Sequence, residues 1–419
     1  MAAEQPAMTA VVARLVDPEI NLAAWGGIVY PLALIIESPI IMLLSASTAL
    51  SRSCEAYRAL RRFMMWMGAI LTLVHVLIAF TPLYYVVTVD ILGVPAPVVE
   101  QARVGLMIMT PWTWAIAYRR FNQGVLIRFG HSRAVGLGTM IRLVADLLVL
   151  AAGYLIGRWP GIVVGSSAIA AGVVAEAIYA GIRIRPVLRD EVGQATDADP
   201  PLTFRQFLSF YVPLALTSLL YLVVQPIGSA ALSRMPEALA SLAVWPVVTG
   251  FIFIPRSLGI AYNEVVVALM DEPGAVPVLR RFALFLAVSA SALILLTAAT
   301  PLAPLWFGQL SALPARLVPM AIDGLWLSFL LPGLNVMQSW YQGVIVHSRR
   351  TRGISEALLI FLVVTVTVLW VGVKWGAIRG LYVGLVAFVA GSLVQAAWLW
   401  RRSRPAIHAA ESGTGENGA

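Results

Sequence analysis

Long apolar stretches recur throughout this sequence of 419 residues and limit its fold more than any other feature. Many reach about 20 residues, the length that crosses a lipid bilayer as an α-helix. Hydrophobic residues make up 60% of the chain and charged residues 12%, a composition far more apolar than a soluble domain needs. The sequence therefore predicts an all-α polytopic membrane protein with about 11 transmembrane helices. The predicted spans are Asn21–Leu50, Phe63–Val87, Ala102–Ile127, Val135–Ile156, Gly161–Ile182, Phe207–Leu232, Leu239–Met270, Phe282–Thr300, Leu317–Val346, Ile354–Val373 and Ile378–Trp400.

The basic residues indicate how these spans are oriented. The formal net charge is +8, and arginines near the ends of the predicted spans supply nearly all of it. Loops rich in arginine face the cytoplasm in most membrane proteins. We therefore expect a multi-pass protein of the cytoplasmic (inner) membrane with a cytoplasmic C-terminus, and no nucleic-acid partner. The basic segments are 51–62, 119–133, 183–205, 280–281, 349–352 and 401–404.

A second copy of the sequence pattern follows the first at a fixed distance along the chain. Arg61-Arg62-Phe63 recurs as Arg280-Arg281-Phe282, and Gln123-Gly124-Val125 recurs as Gln342-Gly343-Val344. We call the shift from Arg61 to Arg280, which is the same for both motifs, the repeat offset. A fixed long period of this kind indicates internal duplication. In transporters with parallel repeats, the substrate site lies between the two halves.

The repeat predicts two pseudo-symmetric six-helix lobes, with the first helix of lobe one missing. The counterpart of Phe207–Leu232 falls mostly before Met1. Either the chain starts at a late start codon or it evolved without this helix; we expect the first, with in-frame DNA upstream that encodes about 20 apolar residues. The predicted parts are an N-terminal lobe at 1–182, a cytoplasmic linker at 183–204, a C-terminal lobe at 205–402 and a disordered tail at 403–419.

This organisation resembles the multidrug/oligosaccharidyl-lipid/polysaccharide exporter superfamily, which includes multidrug and toxic-compound extrusion (MATE) transporters and lipid-linked sugar flippases. A narrower similarity covers the hairpin that opens the second half. There, Pro213-Leu214-Ala215-Leu216, Pro226-Ile227 and Ser233-Arg234 are similar in type and spacing to the progressive-ankylosis proteins. The resemblance implies alternating access between two lobes and, through the progressive-ankylosis proteins, export of small anions such as pyrophosphate, citrate and ATP.

Glu37 and Arg256 are the strongest candidates for a functional site. They are separated by the repeat offset, each is followed by serine, and each lies near a proline inside an apolar span. In the superfamily, these two helices line the central cavity. For function, the two residues form a charge pair or gate across the transport path, or Arg256 binds an anionic substrate when Glu37 releases it. The alternatives are a static buried ion pair, since a lone charge in hydrocarbon is costly, and two unrelated charges that reach water.

Further polar residues inside the spans are candidates for substrate binding or ion coupling. Gln225 and Asn263 either bind substrate or join helices. Asp146 and Glu176 are membrane carboxylates suited to H+ or Na+ coupling, although Arg142 at i,i+4 favours neutralisation of Asp146 within one helix. Asp323 lies in the span where the resemblance places a cation-site acid; a water-exposed Asp is the alternative.

The sequence contains no phosphate-binding Gly-Lys-Ser/Thr loop and no HExxH, CxxC or GxSxG motif, so we expect a transporter and not an enzyme. One cysteine, Cys54, excludes an intramolecular disulfide, and we expect no cofactor or metal.

The predicted function is secondary export of a small organic, drug-like or anionic solute by a monomer, through cation-coupled antiport. The alternatives are a lipid-linked glycan flippase and a degenerate, non-transporting membrane paralogue.

Overall fold

The computed structural model describes residues 3–193, 203–272, 274–348 and 352–413. Helices account for the regular structure of these residues, and ten helical runs among them are long and apolar enough to cross a membrane. The all-helical, multi-span fold class is therefore confirmed. The predicted third span is helical too, but it is not among those ten.

By its internal packing the chain divides into two units. The first contains Ala7–Ala230, and the second contains Ala231–Ala419 together with Ala2–Pro6. The helices that lie wholly or mostly in the first unit are α1 (Glu4–Val12), α2 (Pro18–Ala23), α3 (Tyr30–Ile41), α4 (Leu43–Leu50), α5 (Cys54–Phe80), α6 (Leu83–Tyr85), α7 (Ala96–Ile108), α8 (Thr110–Arg128), α9 (Ser132–Ile156), α10 (Gly161–Val187) and α11 (Phe204–Leu222), with π-helical turns at Ala24–Val29, Val86–Ile91 and Leu188–Val192. Helix α12 (Val224–Leu232) contains the boundary between the units.

The second unit repeats the same succession of helices. They are α13 (Ala238–Leu269), α14 (Ala275–Ala299), α15 (Leu302–Pro304), α16 (Val318–Ser328), α17 (Leu330–His347), α18 (Arg352–Trp375) and α19 (Gly380–Gly413), with a π-helical turn at Leu305–Leu310 and a 3₁₀ turn at Ala315–Leu317.

The sequence repeat is also a repeat of packing contacts. A Cβ atom at Gly153 would overlap Val164, and a Cβ at the equivalent Gly372 would overlap Val383, which is the equivalent of Val164. Because each glycine leaves room for the equivalent valine of the following helix, the repeat offset relates the same helix pair in both units.

Helix α1 is the counterpart of α12, with a slip of a single residue relative to the repeat offset. Gln5-Pro6 aligns with Gln225-Pro226, and the two helices have the same length. A Cβ at Gly161 would lie 2.7 Å from Val12 Cγ1, while one at Gly380 would lie 3.1 Å from the Leu232 carbonyl oxygen. Helix α1 therefore corresponds to the C-terminal part of Phe207–Leu232, the span whose counterpart was expected to be missing from lobe one.

Three segments differ from expectation. Helix α10 continues through Pro186 to Val187, so the start of the predicted linker is helical, and residues 194–202 lie outside the described residues. Helix α11, expected to belong to the second lobe, packs against α3 of the first unit. The predicted tail is helical up to Gly413, while residues 414–419 lie outside the described residues.

Candidate functional site

Six ionisable side chains lie together among four helices of the first unit. Such groups are costly in hydrocarbon and, inside membrane proteins, lie near one another or near a functional pathway. Three arginines face three carboxylates, so the formal charges cancel. We call this group the charge cluster; its members are Glu37 on α3, Arg119 and Arg120 on α8, Arg142 and Asp146 on α9, and Glu176 on α10.

Arg119 and Glu176 form the tightest pair of the charge cluster. Their side chains are 2% and 0% exposed, and Arg119 Nη1 donates a hydrogen bond of 2.7 Å to Glu176 Oε2. Gln123, one turn further along α8, donates from Nε2 to Glu176 Oε1 at 2.8 Å. Both carboxylate oxygens of Glu176 are thus occupied, which identifies this trio as a fixed platform that joins α8 to α10.

Arg142 and Asp146 form a looser pair within α9, as their i,i+4 spacing predicts. Arg142 Nε lies 3.9 Å from Asp146 Oδ2, and Asp146 is buried. Asp146 also faces Gly172 of α10, where a Cβ atom would overlap its Oδ1. The carboxylate therefore occupies the space that a side chain at residue 172 would need.

Glu37 and Arg120 are the members of the charge cluster whose charges are least directly matched. Arg120 is the charge that acts most strongly on Glu37, followed by Arg119 and Arg142. Nevertheless, among the residues that the structure describes, Glu37 Oε2 and Arg120 Nε are buried without a hydrogen-bond partner. By its chemistry a carboxylate such as Glu37 binds a proton or a cation, whereas a guanidinium such as Arg120 binds an anion.

The second unit is uncharged at most of the positions equivalent to the charge cluster. Gln338 and Gln395 are both buried, and Gln338 Nε2 donates to the Ser392 carbonyl oxygen at 2.9 Å. Among the six equivalent positions, Arg256 is the one charged residue. The repeat offset pairs Glu37 with Arg256, Arg119 with Gln338, Arg120 with Ser339, Arg142 with Phe361, Asp146 with Thr365 and Glu176 with Gln395.

Glu37 and Arg256 occupy matching local structures. Ser38 Oγ donates to the Ile35 carbonyl oxygen at 2.8 Å, and Ser257 Oγ donates to the Ile254 carbonyl oxygen at 2.7 Å. Glu37 belongs to the first unit and Arg256, which is half-buried, to the second. Their pairing stays a prediction.

The remaining predicted site residues are not members of the charge cluster. Gln225 is half-buried on α12, and Asn263 Nδ2 donates to the Ser339 carbonyl oxygen at 3.0 Å, a contact that joins α13 to α17. Asp323 is exposed and accepts a hydrogen bond of 2.5 Å from the Tyr382 hydroxyl. The role of Asp323 in ion coupling stays a prediction.

An exposed network continues from Asp323 at one end of the second unit. Arg379 donates from Nη1 to Tyr382 Oη at 3.1 Å and from Nε to Glu237 Oε1 at 2.8 Å. These hydrogen bonds, with Tyr382 and then with Glu237, raise the pKa of Arg379, which lies in the connection between α18 and α19. Asp323 therefore takes part in a surface network.

Sequence reasoning missed Arg119, Arg120 and Gln123 as site residues. It counted Arg119 and Arg120 with a basic cytoplasmic loop at 119–133, whereas helix α8 continues to Arg128 and buries Arg119. The repeat offset contains the missing signal, because it aligns Arg119 with the buried Gln338. Within the described ranges, no three histidine, cysteine or acidic side chains are grouped as metal ligands.

The fold is that of known transporters. A multidrug resistance MATE family transporter of the MOP superfamily, in an inward-facing conformation, matches with a TM-score of 0.80 and 15% identity over 98% of this chain and 96% of that chain. A MOP superfamily transporter from Pyrococcus furiosus matches with a TM-score of 0.62 and 17% identity over 98% and 95%. The lipid II flippase MurJ matches with a TM-score of 0.61 and 13% identity over 97% and 90%. At these identities the similarity concerns the fold alone.

Sequence comparison identifies the family. No curated protein sequence matches significantly. Residues 3–249 match the family model of the progressive ankylosis protein (ANKH), which confirms the resemblance noted in the hairpin after Pro213. Since that match covers more than half of the sequence, the chain belongs to the ANKH family, whose members are membrane transporters of the MOP superfamily and not enzymes.

Proposed function

We propose that this protein is a secondary exporter, in which the charge cluster of the first unit couples the movement of a small organic solute to a cation. The observation that carries the proposal is that Glu37, a buried residue, and the half-buried Arg120 each hold a buried polar atom, Glu37 Oε2 and Arg120 Nε, without a hydrogen-bond partner in the described part of the chain. Ionisable groups inside membrane helices mark ion and substrate pathways. The fold supports alternating access, because the matching transporters have inward-facing and outward-facing forms.

Within the charge cluster, Glu37 is the proposed coupling carboxylate. Both carboxylate oxygens of Glu176 already accept hydrogen bonds, one of them from Arg119, so a change in either residue would break a buried ion pair. Glu37 Oε2 accepts no hydrogen bond from the residues that the structure describes, so protonation of this oxygen breaks none of those contacts. A proton or Na+ bound there on one side of the membrane and released on the other would drive transport.

The charge of the solute decides the sign of the coupling. A positively charged or hydrogen-bond-donating solute competes with the cation for Glu37, which gives the antiport that we propose. An anionic solute bound at Arg120 would instead favour a protonated Glu37, because Arg120 is the strongest charge acting on it. The anion and the proton would then move in the same direction.

Transport in liposomes tests this proposal. The purified protein is reconstituted with a pH-sensitive dye inside the vesicles, and organic cations and small carboxylates are supplied in turn. We expect a solute gradient to drive protons the opposite way in the wild type and to drive none in Glu37→Gln. Asp90→Asn removes an exposed carboxylate of the same unit and is the control. Proton flow in the same direction as a carboxylate would contradict antiport, and normal coupling in Glu37→Gln would exclude Glu37.

Orientation in the cytoplasmic membrane is the second part of the proposal. Cys54 is the one cysteine of the chain. It lies within the basic segment 51–62, at the first residue of α5. If basic loops face the cytoplasm, a membrane-impermeant maleimide should label Cys54 only after the cells are permeabilised. Labelling in intact cells, measured against a Cys54→Ser control, would invert the orientation.

A further inference from the structure

Helix α3, which carries Glu37, is interrupted shortly after this residue. Pro39 has no backbone N–H, so the Ile35 carbonyl oxygen lacks its helical donor. The Ser38 hydroxyl replaces that donor at 2.8 Å. The helix then ends at Ile41, and Met42 adopts φ −80° and ψ 1° before α4 begins. The equivalent α13 runs unbroken from Ala238 to Leu269, so the break belongs to the helix of Glu37 and not to the repeat.

A side chain from α11 contacts α3 next to this break. The Tyr211 hydroxyl donates a hydrogen bond to the Pro39 carbonyl oxygen. Tyr211 is 3% exposed; its ring stacks on Phe207 at 5.2 Å and meets the edge of Phe63 of α5 at 5.1 Å. The hydroxyl is thus held by packing on a backbone carbonyl close to Glu37 in the same helix.

We propose that Tyr211 is a positioning residue for Glu37. Its hydrogen bond fixes the end of α3 and thereby holds the carboxyl group relative to Arg120. The charges that face Glu37 are Arg119 and Arg120 from α8 and Arg142 from α9, with Glu176 behind Arg119 and Asp146 beside Arg142. The inference rests on the proposed coupling role of Glu37 and adds a residue from the helix that directly follows residues 183–203.

Tyr211→Phe removes the hydroxyl and keeps the packed ring. The first measurement needs no substrate: the unfolding midpoint of the purified protein is followed across pH. A step that Glu37→Gln abolishes belongs to Glu37. We expect Tyr211→Phe to move that step along the pH axis and Tyr154→Phe, on an exposed ring of α9, to leave it in place.

The second measurement is coupled transport in liposomes. We expect Tyr211→Phe to lower the coupled rate about fivefold, the effect of one lost hydrogen bond, and to change its pH profile. It should have no additional effect on the pH profile in a Glu37→Gln background. An unmoved Glu37 step with an unchanged pH profile would overturn the positioning role, even if the rate falls. A wild-type protein without any Glu37-dependent step would instead overturn the proposed coupling itself.

Discussion

The two units use the same helix packing but differ in their buried charges. Gly153 packs against Val164, and Gly372 packs against the equivalent Val383. In contrast, the residues equivalent to Arg119 and Glu176 are glutamines. The second unit thus forms the same helix pairs without these charges. Buried ion pairs are often neutral or unfavourable compared with uncharged residues that pack equally well. The comparison therefore indicates that the charge cluster is not required by the fold, which supports a role in transport.

The strongest way to test this comparison is to break the Arg119–Glu176 pair. Arg119→Gln or Glu176→Gln alone leaves one buried charge without its partner, a loss of about 3–5 kcal/mol in the free energy of unfolding. Each variant introduces the residue that the second unit carries at the equivalent position. Thermal unfolding of the purified protein, followed by loss of the monodisperse fraction, measures the effect.

The double variant makes this test specific. Arg119→Gln with Glu176→Gln reproduces the Gln338 and Gln395 of the second unit and leaves no unpaired charge from this pair. We expect it to recover most of the stability of the wild type and little of its transport. If the double variant is as unstable as either single variant, the pair is needed by the fold and the comparison fails.

The partner of Glu37 can be found in the same way. Glu37→Gln leaves an excess positive charge in the charge cluster, and we expect a loss of about 1–3 kcal/mol. Because Arg120 acts most strongly on Glu37, Arg120→Gln should restore stability in the Glu37→Gln background. Arg133→Gln, on the exposed start of α9, is the matched control. Rescue by Arg256→Gln instead would establish the pair predicted from the repeat offset.

The shared packing leads to a prediction of equal effects in both units. Gly153→Ala would press on Val164 and Gly372→Ala on Val383, and each should lower stability by about 1–3 kcal/mol through overpacking. Val164→Ala and Val383→Ala make room for the added methyl group and should each compensate the glycine variant of their own unit. A large difference between the two units would show that the repeat is less regular than these contacts suggest.

The sequence was sufficient for those features that depend on local pattern. Apolar length predicted the helical spans, the repeat offset predicted equivalent positions, and i,i+4 spacing predicted the Arg142–Asp146 pair. Rules that count charges misplaced Arg119, because they cannot tell an arginine at a helix end from one buried against a carboxylate 57 residues away. The contact of Tyr211 with Pro39 spans 172 residues, and no local pattern encodes it.

The smallest effect is expected at the exposed ion pair of the second unit. Arg379 and Glu237 are 44% and 48% exposed and lie 2.8 Å apart, so water screens their attraction. Such surface pairs contribute about 0–1 kcal/mol, in contrast with the buried pair of the first unit. Arg379→Gln should therefore change the unfolding midpoint less than either Arg119→Gln or Glu176→Gln. Added salt should further reduce the difference in midpoint between Arg379→Gln and the wild type. Glu237→Gln alone removes the ion pair and keeps the hydrogen bond from Arg379 to Tyr382, so it separates the two contributions. If Arg379→Gln destabilises the protein as much as Arg119→Gln, burial is not what distinguishes the two pairs, and the contrast between the units would have to be explained by their geometry alone.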